Sequence, residues 1–352
     1  MATVDQTATT SAANIARSGP YVSVIVPVFN ERESIPGLHA ELTEVLASHW
    51  EDAYELIFID DGSTDGSSEL LEEFIPSDPA VVVVHFRRNF GQTAAMTAGF
   101  ATARGEVVVS IDADLQNDPA DIPALVSRLE EGYDVDSGWR KDRQDNALTR
   151  TLPSRCANWL IGKLTGVTLH DYGCTLKAYR RQVVADIRLY GEMHRFIPVY
   201  VHMQGGAITE MPVHHRARSF GQSKYGLGRI YKVFLDLLLV KFLASYASKP
   251  IYVFGGFGLL CLAGAVLPVG LAIFFKFTTL PGWQKDFVET PLPVLAAVLT
   301  LVGMLAILQG LLAEMLMRTY YESQGKRPYV LKKASPSQDL EETSPLERSR
   351  DE

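Results

Sequence analysis

Two long uncharged apolar runs near the C-terminus constrain this chain more than any other feature. Ile251–Phe275 spans 25 residues and Leu292–Ala313 spans 22, joined by a 16-residue connection. A helix needs roughly 20 apolar residues to cross a ~30 Å hydrocarbon core, so each run is long enough. Two buried core helices are the alternative, but two such runs across so short a loop predict a transmembrane hairpin. Gly255, Gly256, Gly258, Gly264 and Gly270 follow no strand, so they read as close helix-packing positions rather than a nucleotide loop. Gly303 and Gly310 read the same way in the second run, and such a hairpin permits self-association into a homo-oligomer.

Basic residues set the expected orientation. Arg229, Lys232, Lys241 and Lys249 precede the hairpin, and Arg318, Lys326, Arg327, Lys332 and Lys333 follow it. The connection carries Lys276 and Lys285 against Asp286 and Glu289. By the positive-inside rule both ends should be cytoplasmic, at the inner membrane. No basic-then-apolar leader opens the sequence; residues 1–19 read as a polar, disordered lead. The cytoplasmic tail, 321–352, reads as disordered after about residue 335.

The rest of the chain is a different material. Over 352 residues, 47% are hydrophobic and 21% charged, and 33 basic against 41 acidic residues leave −8. That excludes a disordered, collagen-like or disulfide-stapled chain, and the charge predicts no nucleic-acid partner. Cys156, Cys174 and Cys261 have no ligand-like spacing. From Tyr21, β-branched runs alternate with helical stretches. The predicted strands are Ser23–Phe29, Glu55–Asp60, Val81–Phe86, Glu106–Asp112, Asp134–Trp139 and Ala207–Val213. Helices are expected near 34–48, 67–75, 92–103, 119–131 and 147–164. Nearly all-apolar strands joined by helices imply an α/β fold with a mainly parallel sheet covered on both faces. Ligands bind such sheets at the carboxyl ends of the strands.

Those ends are polar. Pro27-Val28-Phe29-Asn30-Glu31 closes the first strand, Asp60-Asp61-Gly62-Ser63-Thr64-Asp65 the second, and Asp112-Ala113-Asp114-Leu115-Gln116 the fourth. Each alone could be a capped strand-to-helix turn. Three acidic ends on one sheet edge would repel unless a cation joined them. In extended chain Asp112, Asp114 and Gln116 would share one face. Their oxygens suit Mg²⁺, which keeps few protein ligands and takes phosphate oxygens, so a nucleotide diphosphate is expected. Neither a P-loop nor a dinucleotide fingerprint occurs, which removes most support for an ATPase or a dehydrogenase.

The ordered series VIVPVFNERESI, FIDDGSTD, RRNFGQTAAMTAGF, SIDADLQNDP, PSRCAN, DYGCTLKAYRR and RSFGQSKYG resembles glycosyltransferase family 2 over roughly residues 21–320. Within it, the chain looks like the membrane-anchored polyprenyl-phosphate glycosyltransferases. DYGCTLKAYRR, HRFIP and PVHHRARSFGQSKY are most similar to the aminoarabinose-transferase branch. The resemblance implies a GT-A nucleotide-sugar-binding fold over 20–225, amphipathic interface helices over 226–249, and the hairpin over 250–320. It also implies that Pro27, Phe29, Glu31, Asp60 and Asp61 hold the base and ribose of a nucleotide-diphosphate sugar. Asp112 would lie by the ribose and diphosphate, with Asp114 and Gln116 coordinating Mg²⁺ or Mn²⁺. Arg218, Ser223 and Lys224 match a segment that folds over the phosphates. Arg140, Arg150 and Arg155 match contacts to a polyprenyl phosphate, undecaprenyl phosphate by the branch.

Charge segregation supports the phosphate reading. Between Pro212 and Leu235 there is no acidic residue, yet Arg216, Arg218, Lys224, Arg229 and Lys232 occur. Arg229 and Lys232 could equally be a solvated or anionic-lipid face. Leu227–Ala247 reads as an amphipathic interfacial stretch, which would bring the catalytic site close to headgroup level.

A polyprenyl phosphate is already anionic, so the expected chemistry is direct, inverting attack on the anomeric carbon with no general base. Asp112, Asp114 and Arg140 are then the expected catalytic residues. Asp171 reads either as an orienting group or as a turn residue, and His214 and His215 as structural. A processive polysaccharide synthase would normally carry Gln-x-x-Arg-Trp and Thr-Glu-Asp-like segments, which are absent. A nucleotidyltransferase would need neither hairpin nor basic approach, and a silent membrane scaffold would not need an intact metal edge.

Overall fold

The computed structural model describes residues 19–141, 158, 161–185, 187, 189, 191, 193–217, 249–280 and 282–323. The chain divides into two compact units, Met1–Ala247 and Ser248–Glu352.

The first unit runs β1 (Val22–Val28), α1 (Ile35–Trp50), β2 (Tyr54–Asp60), α2 (Ser67–Phe74), β3 (Val81–His85), α3 (Gln92–Thr102) and β4 (Val107–Ser110). It continues with α4 (Ile122–Glu130), β5 (Val135–Trp139), β6 (Lys177–Arg180), the short α5 (Arg181–Val184), α6 (Ile197–Met203) and β7 (Ile208–Pro212). The six strands predicted from sequence all form, within a residue or two of their expected ends. The seven strands lie in the order β3-β2-β1-β4-β6-β5-β7. β6 pairs antiparallel with both β4 and β5, while the other pairs are parallel. The sheet is therefore mixed but mainly parallel, the GT-A type of arrangement. β6, α5 and α6 were not predicted, because Lys177-Ala178-Tyr179-Arg180 is short and carries charge at both ends. The helix expected over 147–164 falls largely outside the described residues, and the interface helices over 226–249 almost wholly so.

Strand β1 shows why the sheet is buried on both faces. Val22, Val24, Val26 and Val28 pack into one core with Ile35, Leu38, Leu42 and Leu46 of α1 and Ile122, Leu125 and Leu129 of α4. Ile25 faces the opposite core, with Ala95, Met96 and Phe100 of α3 and Ile197 and Val201 of α6. Period-two side chains divide between two apolar layers, so most strand positions are apolar, and the buried exception in β1, Ser23, donates to Glu55. The α1 stripe at spacings of three and four is fully buried, worth about 2 kcal/mol per side chain. The chain leaves β1 on one side for β2 and returns on the other as β4. That reversal puts the topological switch point, the usual ligand crevice, between β1 and β4.

The second unit is a helix pair, α7 (Ile251–Phe277) and α8 (Leu292–Ser323). Both are long and apolar enough to span a membrane. They exceed the predicted runs, because a helix does not end where its charge-free stretch ends: Lys276 sits in the last turn of α7 and meets Asp286. The glycine reading is corrected in part. A Cβ at Gly258 would stand 2.6 Å from the Gly303 carbonyl oxygen, and one at Gly303 2.8 Å from that of Gly258. Gly310 similarly faces Ile251 at 2.9 Å. Gly256 and Gly270 meet nothing within 4 Å, Gly255 meets only Ile251 of its own helix, and Gly264 barely reaches Leu299. Close approach thus rests on Gly258, Gly303 and Gly310.

Candidate active site

The carboxyl ends of β1, β2, β4 and β5 and the start of β6 share one sheet edge. Pro27, Phe29, Glu31, Asp60, Asp61, Asp112, Asp114, Gln116 and Arg140 all fall there. The β1–β4 ladder ends at the Ile25–Ser110 pair, so β4 parts from β1 just before Pro27, which has no N–H to offer a partner. Arg150, Arg155, Arg218, Ser223 and Lys224 lie outside the described residues.

The first two strand ends are laced together. Asn30, at φ 54°, accepts the Thr64 N–H at 2.8 Å, and its own N–H donates to Ser63 Oγ. The Glu31 N–H donates to Ser67 Oγ and that of Arg32 to Asp65. Asp60 and Asp61 are 2% and 3% exposed, and their oxygens serve the protein. Asp60 accepts from Ser63, Ser68 and His85. Burial works against its charge, but these hydrogen bonds hold it below the usual carboxylate range. Asp61 accepts the Phe90 and Gly91 N–H groups at 2.7 and 2.9 Å, fixing the loop that opens α3. Burial outweighs those bonds and pushes Asp61 up. Gly62, at φ +71°, passes so close to Arg88 that a Cβ would lie 2.5 Å from its backbone.

The fourth strand end departs from expectation. β4 stops at Ser110, and Leu115 takes a left-handed φ of 59°. The chain from Asp112 to Gln116 is a turn rather than an extended run, and no alternation aligns the three side chains. Asp114 Oδ1 instead accepts the Gln116 N–H at 3.2 Å, which brings both residues round one bend. The bend is pinned from behind. Arg216 N–H donates to Gln116 O, Asn117 bridges to His215, and Arg216 is itself held by Glu41 and Asp118. Arg216, counted in the basic strip, is thus committed to carboxylates. His214 holds Asp121 through ring and backbone nitrogen alike, a structural role.

Burial and the adjacent Asp114 carboxylate push Asp112 above the usual range; the charges of Arg140 and Lys177 pull the other way. That excess of negative charge is what a cation relieves. With the amide of Gln116 the donor set is hard oxygen and fits Mg²⁺ or Mn²⁺. No group of three acidic, His or Cys side chains suited to a metal occurs among the described residues, so further ligands would come from water and substrate oxygens.

At the fifth strand end, Arg140 Nε and Nη2 donate to Asp171 Oδ2 and Oδ1 at 2.7 and 3.0 Å. Burial works against the guanidinium charge, but Asp171 more than restores it. Asp171 also accepts the Gly173 N–H, so it is both ion-pair partner and turn residue. Four further residues were not singled out from sequence. Gln92 Nε2 donates to Asp112 Oδ1 at 2.9 Å, and His194 meets Thr93 at 2.7 Å. Lys177, 3% exposed, lines a cavity with Gln92, His194 and Arg195. The one available signal was a lysine between Leu176 and Ala178, apolar neighbours that argue for a buried strand position.

The profile described as Glycosyl transferase family 2 matches residues 23–188. Dodecaprenyl-phosphate galacturonate synthase of Rhizobium johnstonii is 43% identical over 315 residues, covering 88% of this chain and 92% of that one. Undecaprenyl-phosphate 4-deoxy-4-formamido-L-arabinose transferase of Salmonella newport is 36% identical over 317 residues, with the same coverage. Among solved structures, glucosyl-3-phosphoglycerate synthase of Mycobacterium tuberculosis with Mg²⁺ and uridine diphosphate superposes with a TM-score of 0.48. It is 20% identical and covers 64% of this chain and 79% of that one.

Proposed function

This chain belongs to glycosyl transferase family 2, and we propose that it moves one sugar from a nucleotide-diphosphate sugar to a membrane polyprenyl phosphate, with undecaprenyl phosphate the expected carrier. The observation that carries the reading is the pairing, on one sheet edge, of the acidic Asp112–Gln116 turn with the buried cation Arg140. A transferase joining two anionic substrates needs both.

Pro27, Phe29, Glu31, Asp60 and Asp61 form the nucleotide side. Because the Asp60 and Asp61 carboxylates are engaged by neighbouring loops, their part is to hold those loops in shape around base and ribose. Asp112 orients the ribose and diphosphate. Asp114 and Gln116 would hold Mg²⁺ or Mn²⁺, which screens the leaving diphosphate. Arg140 receives the acceptor phosphate, and Asp171 aims it. The roles of Arg150 and Arg155 on that phosphate, and of Arg218, Ser223 and Lys224 on the diphosphate, rest on sequence alone.

An acceptor phosphate oxygen attacks the anomeric carbon and forms the new C–O bond. The bond from that carbon to the nucleotide diphosphate breaks, and its electron pair leaves with the diphosphate. Attack opposite the leaving group inverts the anomeric centre, and no proton need be removed. The product, a polyprenyl-phospho-sugar, would serve as a donor for envelope glycan or lipid modification. α7 and α8 are the proposed membrane anchor, with basic flanks favouring a cytoplasmic catalytic unit at the inner membrane.

Radiolabelled nucleotide sugars incubated with polyprenyl phosphate and the purified chain test the reading. One organic-soluble labelled product is expected. A polymer, or pyrophosphate release without lipid-linked label, would replace it with a processive synthase or a nucleotidyltransferase.

A further inference from the structure

We propose that His85 is a positioning residue for the nucleotide side of the site: as the imidazolium it ties Asp60 to Glu72, and donor binding weakens when the ring gives up its proton. The inference rests on the reading of the chain as a nucleotide-sugar transferase and adds a control over how tightly the donor is held.

The geometry is a relay. β3 ends at His85, which lies in register with Asp60, the last residue of β2. Nδ1 of the ring stands 3.0 Å from Asp60 Oδ2, and Nε2 stands 2.7 Å from Glu72 Oε1 on α2. Asp60 passes the tie onward: its Oδ1 accepts the Ser63 N–H at 3.0 Å, and its Oδ2 accepts the Ser68 hydroxyl at 2.5 Å. Ser63 Oγ in turn accepts the Asn30 N–H at 3.0 Å. One run of hydrogen bonds therefore leads from α2 through His85 and Asp60 to the turn at Asn30, between the two strand ends proposed to hold base and ribose.

The relay depends on charge. Neutral imidazole carries one N–H and can donate to only one of the two carboxylates; at the other, a ring lone pair would meet carboxylate oxygen. The imidazolium donates to both. The elements packed against β3 are β2 and α2, and the carboxylates they bring within ion-pair distance of the ring are Asp60 and Glu72, among the described residues. Burial works against the charge of His85, but its bonds to these carboxylates outweigh that and raise it above the usual imidazole range. Asp60 is held below the usual carboxylate range, so it stays ionised while the ring titrates. The double tie is complete below the ordinary imidazole value of 6.5 and is lost as pH rises through the raised one. Ser63 and Ser68 still hold Asp60 at that point, so the loop is loosened rather than released. A loosened loop must be ordered again by the nucleotide, and affinity falls.

The test measures Kd for UDP and for GDP, each with Mg²⁺, on the full-length wild-type chain, His85→Gln and Glu72→Gln from about pH 5.5 to 9, a span that brackets imidazole titration. Dividing the variant Kd by the wild-type Kd at each pH cancels the titration of the nucleotide itself. His85→Gln should bind about tenfold more weakly than wild type near pH 6, on the scale of coupled sites, and equally well near pH 9. Glu72→Gln removes one of the two supporting charges from an exposed position, so its affinity should match wild type at the acid end and decline at lower pH than wild type does. It also carries the test if His85→Gln fails to fold. A His85→Gln defect of one size at every pH overturns the proposal by marking a structural histidine, and wild-type binding by both variants throughout overturns it as well. Either result, with nucleotide bound by the wild-type chain, leaves the transferase reading intact. Binding of neither nucleotide by the wild-type chain removes that reading and this proposal together.

Discussion

Arg140 and Asp171 face each other through two parallel hydrogen bonds, of 2.7 and 3.0 Å, with only 15% and 4% of their side chains exposed. The pair joins the end of β5 to the loop before β6, and it fixes the guanidinium plane while leaving its charge in place. A planar fork held at two points cannot swing, which suits the phosphate-receiving role proposed for Arg140.

Removing the aim should therefore hurt differently from removing the charge. Asp171→Ala leaves a buried guanidinium uncompensated, with an expected loss of about 3–5 kcal/mol in stability. Asp171→Asn should fold better but raise the acceptor KM, and Arg140→Ala should abolish turnover and, leaving Asp171 buried without its partner, lower stability by a similar amount. Circular dichroism with separate donor and acceptor titrations checks this. Unchanged acceptor kinetics in both Asp171 variants would falsify the positioning role.

The acidic turn predicts a metal requirement. Asp114→Ala is expected to reduce kcat by roughly 10²–10³, the scale of losing one electrostatic contact to developing charge, with unchanged circular dichroism. EDTA should silence the wild-type protein, and added Mg²⁺ or Mn²⁺ should restore it. Full activity in EDTA would count against the donor set Asp114–Gln116.

Asp136, fully buried on β5, has no ion-pair partner among the described residues, and burial raises it to about 7. On unfolding its carboxyl returns toward 3.8, so between those values the unfolded chain binds fewer protons than the folded one. Stability contributed by the neutral acid is therefore full below about pH 4 and lost as pH rises through 7, with a slope of at most about 1.4 kcal/mol per pH unit. Asp136→Asn should flatten that decline and stabilise the catalytic unit above pH 7. Thermal unfolding from pH 5 to 8 measures it; an identical slope in the variant would dismiss the assignment.

The hairpin offers a test with its own control. Gly258→Leu has to displace the Gly303 backbone or Ile307, at 2.6 Å, and should separate α7 from α8. Gly256→Ala meets open space and is expected to be neutral. Unfolding in detergent, or cysteine crosslinking between the two helices, distinguishes them. Equal behaviour of the two variants would mean that the glycine contact does not hold the pair.

Much of this was readable from residue order, because the signals were local. A charge-free run of the right length, a strand apolar at nearly every position, and acidic residues at strand ends each depend on neighbours in sequence. The alternation of Asp112, Asp114 and Gln116 misled for the same reason. It assumed an extended chain, whereas Leu115 turns left-handed and a side-chain-to-backbone bond gathers the residues instead. Lys177 stayed silent because its strand is short and charged at both ends, and its surroundings come from β4, β5 and the Tyr172–Thr175 loop.

By itself, then, the sequence determined the α/β alternation, the two apolar helices long enough to span a membrane and the acidic edge, all written in the period and polarity of adjacent residues. Only the tertiary structure decided that Asp171 is the partner of Arg140, 31 positions away, and that Asp60 and Asp61 are engaged by loops. It alone put a buried lysine in one cavity with Gln92, the residue that hydrogen-bonds Asp112. Such relations arise where strands distant in the chain are brought into register, and a one-dimensional pattern carries no record of which ends will meet.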